Sequence, residues 1–244
     1  MRGLRRGFVI LLVVWQVLLT SLLTLGGIED RLLRGMAGMM WGLNVLWIGG
    51  AGLLSLRGRD AIRDLARRLP GHPNLKLFLF MTLMALIEEA VAVLMTNAAP
   101  WFGSRIGEVY ITASADYFDV VLFHSVIVFL PQFAAWTWLL SRYDFSPFAA
   151  FVLFGLTGLI DETLFAGPQI PAIAQWLLVY GLMVYLPAYC YPAPPNRRPA
   201  RPRLYPVAVI LPIVAALPAA ALMLLAIAPG HPSIHFPPIG AKSP

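Results

Sequence analysis

The chain has 244 residues, of which 59% are hydrophobic and only 12% are charged, and its mean hydropathy is +0.75. Soluble domains carry about 25% charged residues, so the composition excludes an ordinary soluble protein and indicates a polytopic membrane protein. The net charge of +6 does not indicate a nucleic-acid partner, because the charges lie between apolar runs, and the single Cys190 excludes an internal disulfide and a cysteine metal cluster.

Seven apolar runs are each long enough to cross a bilayer, which takes about 20 residues. They predict an all-α membrane bundle of seven transmembrane helices that forms one domain over residues 1–228. The predicted spans are about 7–27, 36–56, 77–98, 117–141, 147–166, 170–191 and 206–228. The first run resembles a signal peptide, but it is too long and lacks a small-x-small cleavage site, so we predict an uncleaved anchor.

The basic residues divide unequally between the two sides of the predicted bundle. With the N-terminus inside, 14 of the 18 Lys and Arg residues fall on the inner side. The outer side keeps Arg31, Arg34, Arg105 and Lys242. This asymmetry follows the positive-inside rule and predicts an inner-membrane protein with a cytoplasmic N-terminus and an outer C-terminus.

Two segments outside the spans have compositions that predict their surroundings. Residues 57–69 are basic and amphipathic, with Ile62, Leu65 and Leu69 on one side, which predicts an interfacial helix on the anionic headgroups of inner-leaflet lipids. Residues 229–244 are rich in Pro and Gly and predict a flexible outer tail, which carries His231 and His235.

Spans 3 and 5 carry two versions of one sequence. FLFMTLMALIEE at 78–89 matches FVLFGLTGLIDE at 151–162 at an offset of 73, and each version ends in a pair of acids. Spans 4 and 6 match as well, because VIVFLPQF at 126–133 aligns with LMVYLPAY at 182–189. The order of acid span and then proline span recurs, which predicts a duplicated helical hairpin with repeat 1 over about 77–141 and repeat 2 over about 147–191. Spans 3 and 5 run in the same direction, so the repeats are parallel, an arrangement known from transporters.

Acids inside an apolar run are costly in a membrane and are functional by default. Glu89 and Glu162 each lie on the face of their span with the smallest residues, which is the face expected to pack against a neighbour. Glu88 and Asp161 are rotated by about 100° from them and are expected to face another helix or a polar cavity.

A histidine and a tyrosine complete the predicted site. His124 is the only histidine within a span, and the repeat aligns it with Tyr180. We therefore expect Glu89, Glu162, His124 and Tyr180 to converge in the membrane, with Glu88 and Asp161 in support. Asp119 lies closer to the outer surface and is expected to line an entrance.

This set of residues is compatible with three kinds of chemistry. The acids could share a proton, since removal from water and like charge both favour the neutral acid. Glu89, Glu162 and His124 could instead hold a divalent metal ion as a cofactor. A carboxylate could also activate water for hydrolysis.

The leading interpretation is a transporter or permease for a proton, a cation or a small solute. One alternative is a membrane-embedded, metal-dependent hydrolase or lipid-modifying enzyme, and another is a non-catalytic accessory subunit of a membrane complex, with its acids serving helix packing. The sequence alone leaves open whether the protein is an enzyme and whether it forms an oligomer.

Two short motifs are similar to those of known membrane families. Glu88-Glu89 is similar to the first motif of the CAAX-type intramembrane proteases, EExxxR, although Val93 stands at the arginine position. Pro131-Gln132, the seven spans and the parallel repeats are similar to PQ-loop and sugar-exporter proteins, which usually have three-helix repeats and the opposite orientation. Neither similarity extends beyond these features, so no fold or activity is carried over.

Overall fold

The computed structural model describes residues 2–192, 194, 196–227, 229–231 and 236, and most of them are helical. The helices are α1 Arg2–Gly26, α2 Arg31–Leu43, α3 Gly50–Leu53, α4 Arg59–Arg68, α5 Pro73–Asn97, α6 Tyr117–Phe123, α7 Ser125–Arg142, α8 Pro147–Ala166, α9 Ile173–Cys190 and α10 Tyr205–Leu222. Short π-helical segments at Asn44–Gly49 and Leu54–Gly58 join α2, α3 and α4, and a third at Met223–Ile227 continues α10. Two-residue strands, β1 Tyr143–Asp144 and β2 Arg198–Pro199, pair in parallel.

Polar residues fix where two of the long helices begin. Asp30 caps α2 by accepting hydrogen bonds from the backbone amides of Leu32 and Leu33. Ser146 caps α8 in the same way, and Pro147 follows at the first helical position, where its missing N–H would have no helical acceptor. These start signals lie at the edges of apolar runs, and α8 has the bounds predicted for the fifth span.

Six helical segments of the described chain are long and apolar enough to cross a membrane, or seven if the bent pair α6–α7 is one span. The prediction of a mostly helical protein with several potential spans is therefore confirmed. One segment, Arg31–Arg68, is longer than predicted, because the helical path continues from the second apolar run through the basic amphipathic stretch. The parallel duplication and the placement in a membrane stay predictions.

The fourth predicted span is broken. The sequence predicted one helix over 117–141, but α6 and α7 meet at an angle of 47°. The break falls at His124, whose backbone angles (φ −130°, ψ −105°) lie outside the helical region. Pro131 lies within α7 and is not the position of the break.

Helix α9 lies at the centre of the bundle, since most of its residues are buried, whereas α1 and α10 expose most of theirs. Gly155 lets α8 approach α9 closely, because a Cβ atom added there would lie 2.8 Å from the carbonyl oxygen of Leu177. Aromatic rings of α7 and α8 meet beside this contact, with the centroids of Phe133 and Phe154 5.6 Å apart. This close packing fixes the positions of the polar residues on α5, α7, α8 and α9.

The loop between α5 and α6 is fastened to the start of α2. The guanidinium of Arg31 donates two hydrogen bonds to the carboxylate of Glu108, at 2.5 and 2.7 Å. The hydroxyl of Ser104 also donates to the carbonyl oxygen of Arg31, at 3.1 Å. The loop is therefore held over one end of the bundle.

The Pro/Arg segment between α9 and α10 is anchored at the end of α7. It contains β2, and Arg197 donates a hydrogen bond to Asp144 of β1 at 2.6 Å. After α10, the structure describes residues 229–231 and 236, and most of the predicted flexible tail, including His235, lies outside the described residues. The described Phe236 packs against Tyr110 with ring centroids 5.1 Å apart.

Candidate functional site

The two acid pairs of the repeated sequence meet inside the bundle. Glu88 and Glu89 of α5 are 7% and 5% exposed, and the carboxyl groups of both lie within electrostatic range of Glu162 on α8. Asp161 and Glu162 are half-buried. Two helices that are distant in sequence therefore bring four carboxyl groups into one cluster, which we call the carboxyl cluster (Glu88, Glu89, Asp161 and Glu162).

Tyr180 of α9 joins this cluster. Its phenol donates a hydrogen bond to a carboxylate oxygen of Glu162 at 2.5 Å. The ring fits over Gly158 of α8, where an added Cβ would collide with it, and its edge packs against Phe129 at a centroid distance of 5.7 Å. The tyrosine is thus held by packing as well as by its hydrogen bond.

The other acids also have polar neighbours from adjacent elements. Asp161 accepts a hydrogen bond from the side-chain amide of Gln132 on α7 at 2.7 Å, and Gln132 is fully buried. The hydroxyl of Ser125 at the start of α7 lies near the carboxyl group of Glu89, and the hydroxyl of Thr112 in the α5–α6 loop lies 3.4 Å from that group. Loop and helices therefore both contribute to the cluster.

The carboxyl cluster lacks a basic counter-charge in the part of the chain that the structure describes, since none of its four acids forms an ion pair with Lys or Arg there. Its neighbours are hydroxyl groups and a carboxamide instead. An uncompensated charge is costly in a low-dielectric interior, so such groups are stable when they hold protons or a bound cation. The arrangement is therefore suited to binding and releasing positive charge.

The predicted site separates into two groups. Glu88, Glu89, Asp161, Glu162 and Tyr180 are brought together in and around the carboxyl cluster. His124 and Asp119 lie in a second group at the break between α6 and α7, where Nε2 of His124 is 3.5 Å from Oδ2 of Asp119. The groups are adjacent, because Ser125, which follows His124 in the chain, lies near Glu89.

The second group contains a residue that the sequence analysis assigned to a flexible tail. Nε2 of His231, which follows α10, contacts Oδ1 of Asp119, and the ring centroids of His231 and His124 are 5.4 Å apart. One ligand atom from each of these three residues lies within 4.8 Å of the others, a spacing at which they could share a metal ion. This group includes His124 but neither Glu89 nor Glu162, the other two metal ligands considered from the sequence.

Ser125, Gln132 and Thr112 are further residues at the carboxyl cluster that were not predicted from the sequence. Gln132 had a visible signal, because a glutamine within an apolar run has to find a hydrogen-bond partner. Which acids Ser125 and Gln132 reach depends on the rotation of α7 about its axis, and Thr112 reaches Glu89 from the α5–α6 loop.

The fold and its polar groups define a mostly helical protein with several helices apolar enough to span a membrane and a buried carboxyl cluster between them. No protein-family model, no curated protein and no solved structure matches this chain. Its function is therefore inferred from the side chains of these two groups.

Proposed function

We propose that this protein transports a proton, a cation or a small solute across the inner membrane, with protonation of the carboxyl cluster coupled to movement of the substrate. The observation that carries the proposal is the meeting of four carboxyl groups from α5 and α8 without a basic partner in the described chain. Acids within a membrane mark proton relays and ion pathways, because a purely structural role rarely offsets their cost.

The predicted duplication of the hairpin supports the same proposal. In each hairpin a hydroxyl group from the second helix lies beside the second acid of the first helix: Tyr180 donates a hydrogen bond to Glu162, and Ser125 lies near Glu89. A parallel repeat that contributes equivalent acids to one site is a transporter arrangement. Under this proposal the substrate binds between the two acids, and the hydroxyl groups orient their carboxyl groups.

The proposed topology places the N-terminus in the cytoplasm and the segment after α10 outside. It predicts inner-leaflet contacts for the amphipathic α4, where Arg67, Arg68 and Leu65 are exposed. Arg59 and Arg63 of the same helix donate hydrogen bonds to Tyr185 and Tyr189 of α9 instead. The exposed arginines and leucine of α4 are therefore the part proposed to contact anionic headgroups.

The test uses the full chain in proteoliposomes that contain a trapped pH-sensitive dye. A potassium-diffusion potential is imposed, and proton uptake is recorded alone and with sodium or potassium gradients. We expect uptake above protein-free liposomes that falls at least tenfold when Glu89 and Glu162 are both replaced by Gln. The matched control is Glu29→Gln, an exposed acid between α1 and α2, which should leave the flux unchanged.

Two outcomes decide against the proposal. Flux in the Glu89→Gln/Glu162→Gln protein equal to that of the unmodified chain would remove the carboxyl cluster from the mechanism. A chain that is folded and inserted but shows no proton or cation flux above protein-free liposomes would exclude the ionic forms of the proposal.

A further inference from the structure

We propose that Asp119, His124 and His231 bind one divalent transition-metal ion, with Zn²⁺ as the best fit, and that the ion fastens the segment after α10 to the break between α6 and α7. We call these three residues the histidine–aspartate site. The proposal does not depend on transport, because it concerns a different set of residues from the carboxyl cluster.

The break in the fourth span is what brings the first two ligands together. Asp119 and His124 are five positions apart, and on a continuous α-helix at about 100° per residue their side chains would diverge by about 140°. The non-helical backbone at His124 changes this geometry, and its Nε2 lies 3.5 Å from Oδ2 of Asp119. Both side chains are buried, with His124 4% exposed.

The third ligand comes from more than 100 positions farther along the chain. Nε2 of His231 contacts Oδ1 of Asp119, so the two imidazoles approach the two oxygens of one carboxylate. The ring of His231 also packs against Phe123, with centroids 4.9 Å apart. Two chain segments thus converge on one point.

The donor set selects the class of metal. Two imidazole nitrogens and one carboxylate oxygen form one of the three-ligand sets found in catalytic zinc sites, which keep a fourth position for water or another ligand. Ca²⁺ and Mg²⁺ prefer oxygen ligands and would take one carboxylate and two imidazoles poorly. Among other divalent ions, Ni²⁺ and Co²⁺ also suit imidazole, so they are probes for the same site.

The site lies directly beside the carboxyl cluster. Ser125 follows His124 in the chain and lies near Glu89, so a ligand of the ion would be the direct chain neighbour of a residue at the carboxyl cluster. On the proposed topology, the histidine–aspartate site is on the outer side of the cluster. Metal binding would fix the segment after α10 at that position.

The test measures binding of Zn²⁺ to the full chain, purified in detergent with a tag that contains no histidine and then stripped with chelator. Isothermal titration should give one equivalent of Zn²⁺. Co²⁺ should give the visible absorption of a tetrahedral nitrogen–oxygen site. Hydrogen exchange should show protection of residues 229–231 and 119–125 when Zn²⁺ is added, and no protection with Mg²⁺.

Three variants and one control separate the site from adventitious binding. His231→Ala should weaken Zn²⁺ binding by more than the ~10–100-fold that loss of an outer-shell partner costs, and Asp119→Asn and His124→Ala should do the same. His231 is only half-buried, so His231→Ala keeps the test decisive if the buried variants do not fold. The control is His72→Asn. His72 is exposed and caps the start of α5, and Asn is also a preferred capping residue, so the helix should be unaffected.

The proposal is overturned by any of three results: no Zn²⁺ binding at up to millimolar concentration, binding that His231→Ala leaves unchanged, or binding without protection of the segment after α10. Failure of the transport test with intact Zn²⁺ binding would reject the proposed function and leave this site standing. Proton flux without Zn²⁺ binding would reject this site and leave the proposed function standing.

Discussion

Tyr180 and Glu162 form a hydrogen bond of 2.5 Å that links α9 to α8 in the interior of the bundle. One side of the tyrosine ring packs directly on the backbone of α8 at Gly158, because glycine has no side chain there. A residue pair of this kind positions an acid in the interior of the bundle, because the carboxyl group cannot rotate away without leaving a buried phenol unsatisfied.

Removal of this phenol should destabilise the protein. Tyr180→Phe leaves Glu162 without its donor, and loss of a buried hydrogen bond of this kind costs about 1–3 kcal/mol. Unfolding in detergent, followed by circular dichroism, should report that loss. Tyr110→Phe is the matched control at an exposed loop position and should stay within about 0.5 kcal/mol of the unmodified chain. Equal losses of stability in the two variants would contradict a stabilising hydrogen bond between Tyr180 and Glu162.

Gln132 and Asp161 should be energetically coupled. Gln132→Leu removes the donor from the half-buried Asp161, and Asp161→Leu leaves the fully buried Gln132 without its acceptor, whereas the double change removes both partners. We expect the free energy of unfolding lost in the double variant to be about 0.5–3 kcal/mol smaller than the sum of the losses in the two single variants. Unfolding of the unmodified chain, the two single variants and the double variant in detergent measures this coupling energy. Gln132→Leu combined with Glu29→Gln should be additive, and additivity in the first pair would rule out the contact.

The close approach of α8 to α9 gives a third prediction. Gly155→Ala should cost about 1–3 kcal/mol, because the new methyl group would lie 2.8 and 2.9 Å from backbone atoms of Leu177, which cannot move aside as a side chain can. Gly52→Ala is the matched control, since its Cβ would meet open space. Thermal unfolding should separate the two variants. If Gly155→Ala lowers the stability no more than Gly52→Ala does, α8 and α9 are not in close contact at Gly155.

The loop between α5 and α6 should loosen at low pH. The Arg31 side chain and the backbone amide of Arg105 both donate hydrogen bonds to Glu108. These hydrogen bonds lower the pKa of its carboxyl group from 4.5 to about 2. A carboxyl group whose pKa is lower in the folded state stabilises that state above its unfolded pKa. The contribution of Glu108 is therefore complete above about pH 4.5 and is lost as the pH falls from there towards 2.

Hydrogen exchange of residues 99–116, corrected for the intrinsic pH dependence, measures this loosening. Exchange should accelerate across that window in the unmodified chain. Glu108→Gln should give fast exchange that is independent of pH over the same window, because Gln has no charge to lose. Unchanged protection of the loop in Glu108→Gln would show that Ser104 and other contacts hold it without the ion pair.

Much of the fold could be predicted from the sequence because crossing a bilayer requires about 20 apolar residues, a constraint that is visible without any tertiary information. The break at His124 could not. The residues around it, from Val120 to Ile127, contain no Gly or Pro, and Pro131, the residue that sequence rules associate with a kink, lies within the regular part of α7. The local sequence therefore carries no signal that marks the position of the break.

Some residues of the candidate site could likewise be predicted from the sequence, and others could not. The acids and Tyr180 could be recognised because the repeat aligned them and because acids are rare in apolar runs. Ala85, on the same face as Glu89, is fully buried, as the small-residue face predicted. Ser125 and Gln132 could not be assigned to particular acids, since that requires the rotation and the neighbours of α7. His231 was missed because a segment rich in Pro and Gly gives no sign of where it returns to the bundle.

The break at His124 also changes the electrostatics of the interior. It gives α7 an N-terminus inside the bundle, where the first amide N–H groups have no helical acceptor and carry about half an elementary positive charge. Ser125 is the first residue of α7 and contacts Glu89, so this partial charge lies beside a carboxyl group that has no Lys or Arg partner in the described chain. An unbroken helix would begin at Tyr117, about 12 Å farther away. The backbone thus offers partial compensation for a negative charge at Glu89 that no basic side chain in the described chain provides.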